Sequence, residues 1–120
     1  MKYTVTFLFL ITCCLGCTQS NSKPITELSQ KDRDSGILLD VRTPEEFAEG
    51  HLDGAVNLNW FEDDFKEKAA KLDKNKPIYL YCKAGGRSAK AAEAMGKMGF
   101  EVVNLEGGYD AYLQRQQSSE

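Results

Sequence analysis

Short apolar runs alternate along this chain with stretches whose apolar residues recur at helical spacing. Gly36-Ile37-Leu38-Leu39-Asp40-Val41 is a continuous apolar run bounded by a glycine and by Arg42. That pattern predicts a strand buried on both faces, as in parallel sheets. Ile78 to Cys82, entered through Asn75-Lys76-Pro77, predicts a second strand of the same kind. Ala55-Val56-Asn57-Leu58 and Phe100 to Leu105 give two more, and Pro24-Ile25 opens a short one before a helical turn over Thr26 to Ser29.

The helical stretches sit between these runs. Thr43 is placed as an N-cap, with Pro44 at the first helical position, acids in the first turn and Gly50 as the stop. Phe61, Phe65, Ala69 and Leu72 predict one amphipathic helix covering a sheet face. Ser88, Ala91, Ala92, Met95 and Met98 predict the buried side of another, with Arg87, Lys90, Glu93 and Lys97 opposite and Gly99 at its end. Gly107-Gly108 turns into a last helix, Tyr109 to Arg115. Strand and helix alternate throughout, which predicts an α/β sandwich with a mostly parallel sheet.

The 120 residues are one domain, or one domain plus a leader. The formal charge of −3 offers no global basic field of the kind that draws nucleic acid. The start of the chain reads as leader. Met1-Lys2 is followed by the apolar run Val5 to Leu15, too short for a transmembrane helix of about 20 residues but of signal-peptide length. Leu15-Gly16-Cys17 resembles a lipobox, in which the cysteine is acylated, although Cys14 stands where that motif has an aliphatic residue. The expected division is a signal peptide over 1–16, a lipid-anchored tether over 17–23, a folded domain over 24–117 and a short tail over 118–120. An ordinary secretory signal is the alternative.

Three of the four cysteines, Cys13, Cys14 and Cys17, belong to that leader region. Cys14-Leu15-Gly16-Cys17 spells CxxC, but it lies in the signal core and not after a βαβ pattern, so it is not read as a redox motif. With Cys17 acylated, Cys82 is the one free thiol left, and no internal disulfide can form. A lone thiol exported to an oxidising compartment suggests use.

Cys82 begins the stretch Cys82-Lys83-Ala84-Gly85-Gly86-Arg87-Ser88, at the carboxyl end of a predicted strand, where open α/β sheets place their sites. The glycines let backbone N–H groups turn inward as a nest, and the following helix adds its unpaired amides. Together they make an anion cradle around the sulfur, which favours the thiolate. Arg87 is positioned to grip an oxyanion, and Lys83 adds charge at the rim.

Three segments together resemble the rhodanese-like sulfurtransferase family over nearly all the mature chain. They are Leu39 to Phe47 continued by Glu49 to Asn57, the loop Tyr81 to Ser88, and Asn104-Leu105-Glu106-Gly107-Gly108. The resemblance implies a three-layer α/β sandwich with about five strands in its central sheet. It implies that Cys82 carries a sulfane sulfur as a persulfide, held by the backbone of Lys83, Ala84, Gly85, Gly86, Arg87 and Ser88. Thiosulfate is the implied donor and cyanide or a thiol the implied acceptor, with a thiol reductant protein as a further partner. A persulfide carrier or protein-binding module that uses the same cysteine without small-molecule turnover is the alternative. Cysteine-based phosphatases and arsenate reductases close a similar cradle with one more residue between cysteine and arginine, so this tighter ring suits a terminal sulfur better.

Other candidates carry less. His51, the one histidine, is expected to serve structure in a turn. Asp40 and Arg42 are expected to hydrogen-bond near the loop as scaffold. Glu62, Asp63 and Asp64 read as a solvated helix face. No metal site or cofactor is expected, because cysteine and histidine at ligand spacing are lacking. The protein is expected to be a monomer exported to the periplasm or cell exterior, membrane-bound only through its lipid, with no nucleic-acid partner.

Overall fold

The computed structural model describes residues 21–119. The expected signal peptide over 1–16 and the acylation site at Cys17 lie outside the described residues. Five strands build the sheet: β1 (Asn21–Pro24), β2 (Ile37–Asp40), β3 (Val56–Asn57), β4 (Ile78–Tyr81) and β5 (Val102–Glu106). Five helices join or follow them: α1 (Gln30–Ser35), α2 (Pro44–Glu49), α3 (Phe65–Ala69), α4 (Gly86–Lys97) and α5 (Gly108–Ser118). Every pairing between these strands is parallel, in the order β1-β5-β4-β2-β3.

Side-chain alternation along β4 divides the core in two. Ile78, Leu80 and Cys82 point to the face covered by α3 and α4, where they meet Phe65, Ala69, Ala91, Ala92 and Met95. Tyr79 and Tyr81 point to the other face, with Ile25, Leu52 and Leu105 against Tyr109 and Tyr112 of α5. All four residues of β4 are buried, as its unbroken apolar sequence requires. The buried side of α4 is the one its sequence predicts: Ser88, Ala91, Ala92 and Met95.

The chain leaves β2 toward β3 and leaves β4 toward β5, in opposite directions from two neighbouring strands. That reversal opens a crevice beyond their carboxyl ends, the usual place for a site in such a sheet. Asp40 and Arg42 stand at the end of β2, and Cys82 at the end of β4.

Four expectations need correction. The first strand begins at Asn21, inside the stretch expected to be tether, and Pro24 ends it before a short 3₁₀ turn at Ile25–Glu27. β1 is an edge strand, where proline is tolerated. Helix α1 was not expected; Ser29 accepts from the Asp32 amide and the Asp32 side chain accepts from the Ser29 amide, a capping box that starts a polar helix without an apolar stripe. The amphipathic helix is shorter than Phe61 to Leu72. Asn59 Oδ1 accepts from the Phe61 amide and its carbonyl from the Glu62 amide, so a turn precedes α3 and leaves Phe61 67% exposed. At the other end, α5 runs through Ser118 into the expected tail.

Tyr81 ties the two halves of the crevice together. Its hydroxyl accepts a hydrogen bond of 3.0 Å from the buried Leu52 amide. Tyr81→Phe leaves that N–H without a partner and is expected to lower unfolding free energy by about 1–3 kcal/mol in urea titrations. Tyr79→Phe, whose hydroxyl reaches the more accessible Asp32 at 3.1 Å, is expected to cost less than about 1 kcal/mol.

Candidate active site

The alternation of β4 delivers Cys82 beneath the first turn of α4, with the side chain 1% exposed. Gly85 caps that helix at φ +117°, a left-handed conformation that glycine adopts at low cost. The turn swings the Gly85 N–H onto Cys82 Sγ at 3.0 Å. The Ser88 hydroxyl, fully buried, lies 3.4 Å from the same sulfur and 3.1 Å from the Gly85 carbonyl oxygen. One hydroxyl proton thus has two acceptors.

These contacts settle the balance of charge. Burial pushes the Cys82 thiol up, but the Ser88 hydroxyl and the amides of Ser88, Gly85 and Ala84 outweigh it, and the net direction is downward. Of the loop residues expected to hold a persulfide, Gly85 through its amide and Ser88 through its hydroxyl meet the bare sulfur. No hydrogen bond to the sulfur from Lys83, Gly86 or Arg87 is found among the described residues.

Arg87 departs from expectation. Its fork is closed on Glu46 of α2, Nη1 to Oε1 at 2.6 Å and Nη2 to Oε2 at 3.0 Å, rather than open to an oxyanion. The guanidinium is still close enough to attract a charged Cys82. Glu46 also closes the capping box of α2 with Thr43. The T-x-x-E spacing is visible in the sequence, but a partner 41 residues away is not. Lys83 pairs with Asp110 at 2.9 Å on the surface, where such pairs contribute little.

Asp40 and Arg42 form the scaffold expected of them. Arg42 Nε lies 3.0 Å from Asp40 Oδ1 and Nη2 lies 2.7 Å from Oδ2, both side chains being buried. Nη2 also donates to the Gly50 carbonyl at 2.6 Å, and the guanidinium lies 4.4 Å from the Tyr109 ring centre. The end of β2 is thereby locked to the turn after α2 and to α5. His51 stacks on Phe47 at 3.7 Å and its Nδ1 meets the Phe47 carbonyl, a turn-holding role. Glu62 and Asp64 pair with Lys68 at the surface. Among the described residues, no cluster of three His, Cys, Asp or Glu side chains is placed to hold a metal. A cavity of about 340 Å³ opens beside the loop, lined by Arg42, Glu46, Glu49, Lys83, Tyr109 and Leu113 among others.

Residues 24–115 match the model of the rhodanese-like domain. The chain belongs to the rhodanese-like family. It is 41% identical over 73 residues to the uncharacterized protein YqhL of Bacillus subtilis, covering 60% of this chain and 56% of that one. It is 37% identical over 70 residues to the thiosulfate sulfurtransferase PspE of Escherichia coli, covering 58% and 67%. With the putative sulfur carrier protein YrkF of Bacillus subtilis it shares 36% over 96 residues, covering 73% and 51%, so the chain spans about half the length of that relative. A rhodanese-related protein from Thermoplasma volcanium superposes with a TM-score of 0.71 at 27% identity, covering 79% of this chain and 92% of the other. The relatives of this rhodanese-like chain thus include one named a thiosulfate sulfurtransferase and one named a putative sulfur carrier protein.

The Glu46–Arg87 pair gives the rhodanese-like domain an acid-sensitive joint. Hydrogen bonding to Arg87 lowers the Glu46 carboxyl from 4.5 to about 2, against the opposing effect of burial. A depressed carboxyl stabilises the fold fully above its unfolded value and loses that contribution as pH falls toward its folded one. Glu46→Gln is therefore expected to lower the urea midpoint near neutral pH and to flatten its decline between about pH 5 and about pH 2. Asp32, also held well below the usual range by Lys23, supplies acid sensitivity that persists in the variant.

Proposed function

We propose that the protein is a sulfurtransferase that moves a sulfane sulfur through a persulfide on Cys82. What carries this reading is the convergence of the Gly85 amide at 3.0 Å and the Ser88 hydroxyl at 3.4 Å on one buried sulfur. Those donors favour the thiolate, the form that attacks. The thiolate attacks the outer sulfur of a donor such as thiosulfate, the donor's S–S bond breaks, and sulfite departs with the electron pair. The sulfur chain on Cys82 keeps the negative charge, and the loop amides receive it. A nucleophile such as cyanide or a thiol then takes the terminal sulfur and restores the thiolate. Relatedness to a protein named thiosulfate sulfurtransferase supports that choice of donor.

A second reading is a persulfide carrier that hands its sulfur to a protein partner without small-molecule turnover. The closure of Arg87 on Glu46 favours it, since a free guanidinium would suit a small anionic donor better. Relatedness to a putative sulfur carrier supports it too. Thiocyanate release from thiosulfate and cyanide separates the two. Sustained release that falls to background in Cys82→Ala is the expected result. A single stoichiometric sulfur retained on Cys82, with negligible release, assigns the carrier. In the enzyme reading Arg87→Ala is expected to raise the donor constant on the order of tenfold, the worth of one charged contact, with the unfolding curve still cooperative.

The leader sequence supports an exported lipoprotein acylated at Cys17 and tethered to a membrane by lipid alone. The intact mass of the native protein is expected to equal the chain from Cys17 plus acyl groups. A mass that begins elsewhere, or lacks the lipid, removes the anchor from the proposal.

A further inference from the structure

The first turn of α5 reaches the active-site loop from the side opposite the sulfur. Its Tyr109 amide donates to the Cys82 carbonyl at 2.8 Å and its Asp110 amide to the Lys83 carbonyl at 3.0 Å. Neither amide is used inside its own helix, because the first amides of a helix lack an intrahelical acceptor. A trans peptide is planar, with its C=O and N–H pointing in opposite directions. A Lys83 carbonyl held by Asp110 therefore turns the Ala84 N–H the other way and sets the course of the chain into the next peptide, whose Gly85 N–H meets Cys82 Sγ at 3.0 Å. Gly85 is close by as well: a Cβ added to it would lie 3.7 Å from the Gly107 nitrogen.

Gly108 makes the approach feasible. A Cβ there would lie 2.6 Å from the Cys82 carbonyl oxygen and would overlap the Lys83 carbonyl. Its φ of +62° disfavours a side chain as well. From these contacts we infer that the first turn of α5 is a clamp that aims the loop: it fixes two successive peptide planes by their carbonyls, and Gly108 is the positioning residue that lets it close. The inference rests on reading Cys82 as an ionised nucleophile, but not on its donor or acceptor.

The test follows Cys82 alkylation by iodoacetamide across pH in the full-length protein, read by mass spectrometry on the peptide that carries Cys82. Asp110→Pro removes the N–H that donates to Lys83, at a first-turn position where proline is tolerated. Asp110→Ala keeps that N–H and removes only the carboxylate that pairs with Lys83. Charged groups near the loop are Arg87, Lys83, Glu46, Asp110 and the paired Asp40 and Arg42 at the end of β2, and both Asp110 variants lose the same carboxylate, so its charge cancels between them. The clamp predicts that Asp110→Pro slows alkylation in the acidic limb at least about fivefold relative to Asp110→Ala, through a raised thiol pKa. Gly108→Ala is expected to slow it likewise. Gly99→Ala, also at positive φ but with nothing within 4 Å of the added Cβ, is expected to destabilise without slowing it.

Equal rates for the two Asp110 variants overturn the clamp, as does a Gly108→Ala rate equal to that of Gly99→Ala. Should the proline and Gly108 variants not fold, hydrogen exchange in the wild-type protein decides. The Tyr109 and Asp110 amides are expected to exchange at least about a hundredfold slower than in an open chain, and free exchange refutes the bonds. Alkylation and exchange do not involve thiosulfate or cyanide. A missing sulfur-transfer activity and a missing clamp are therefore separate results.

Discussion

A sulfur buried to 1% exposure can keep a negative charge only where hydrogen-bond donors replace the water it has lost. In this chain those donors are the Gly85 backbone amide and the Ser88 hydroxyl, both close in sequence to the cysteine they serve. Backbone amides do not titrate, and they cannot swing away as a lysine can. The price is geometric, since the Gly85 peptide plane and the Ser88 side chain must meet at one point. The helices around the loop, and the glycines at its corners, are arranged to meet that requirement.

The fold distributes the task among elements far apart in sequence. β4 brings the sulfur to the crevice, the loop at Gly85 and the first turn of α4 supply the donors, and α5 holds the outward carbonyls. The buried Asp40–Arg42 pair joins β2, the turn at Gly50 and the Tyr109 ring, so the end of β2 and the start of α5 are held by one network. A paired charge of this kind is costly to bury but very costly to break. It therefore serves better as a fixed joint than as a source of net stability.

Local chemistry was legible in the sequence and distant pairing was not. The β4 run, the Thr43-Pro44 start of α2 and the apolar side of α4 depend on neighbours within a few residues, and each stands where its pattern predicts. The loop could be read because two glycines and a helix start follow the cysteine within a few residues. Phe61 misled because it keeps helical spacing with Phe65, while the Asn59 side chain had already committed the backbone to a turn. Glu46 gave no sign that it would occupy Arg87, since folding alone brings α2 to α4. The polar Asn21 to Lys23 stretch looked like tether because an edge strand needs no apolar pattern of its own when its partner, β5, supplies the ladder. Gly108 showed only as half of a turn; that its missing side chain leaves room for two carbonyl oxygens is a property of the assembled fold.

The uniform direction of the strands gives the molecule a head and a foot. β1 runs parallel to β5, so Asn21 lies at the foot, and the crevice opens at the head beyond the carboxyl ends of β2 and β4. Cys17 precedes Asn21 by four residues, a reach of at most about 14 Å of extended chain. With lipid on Cys17, the domain would stand on the bilayer by the start of its sheet. The nucleophile would then face the aqueous space, open to whatever diffuses there and turned from anything embedded in the same leaflet.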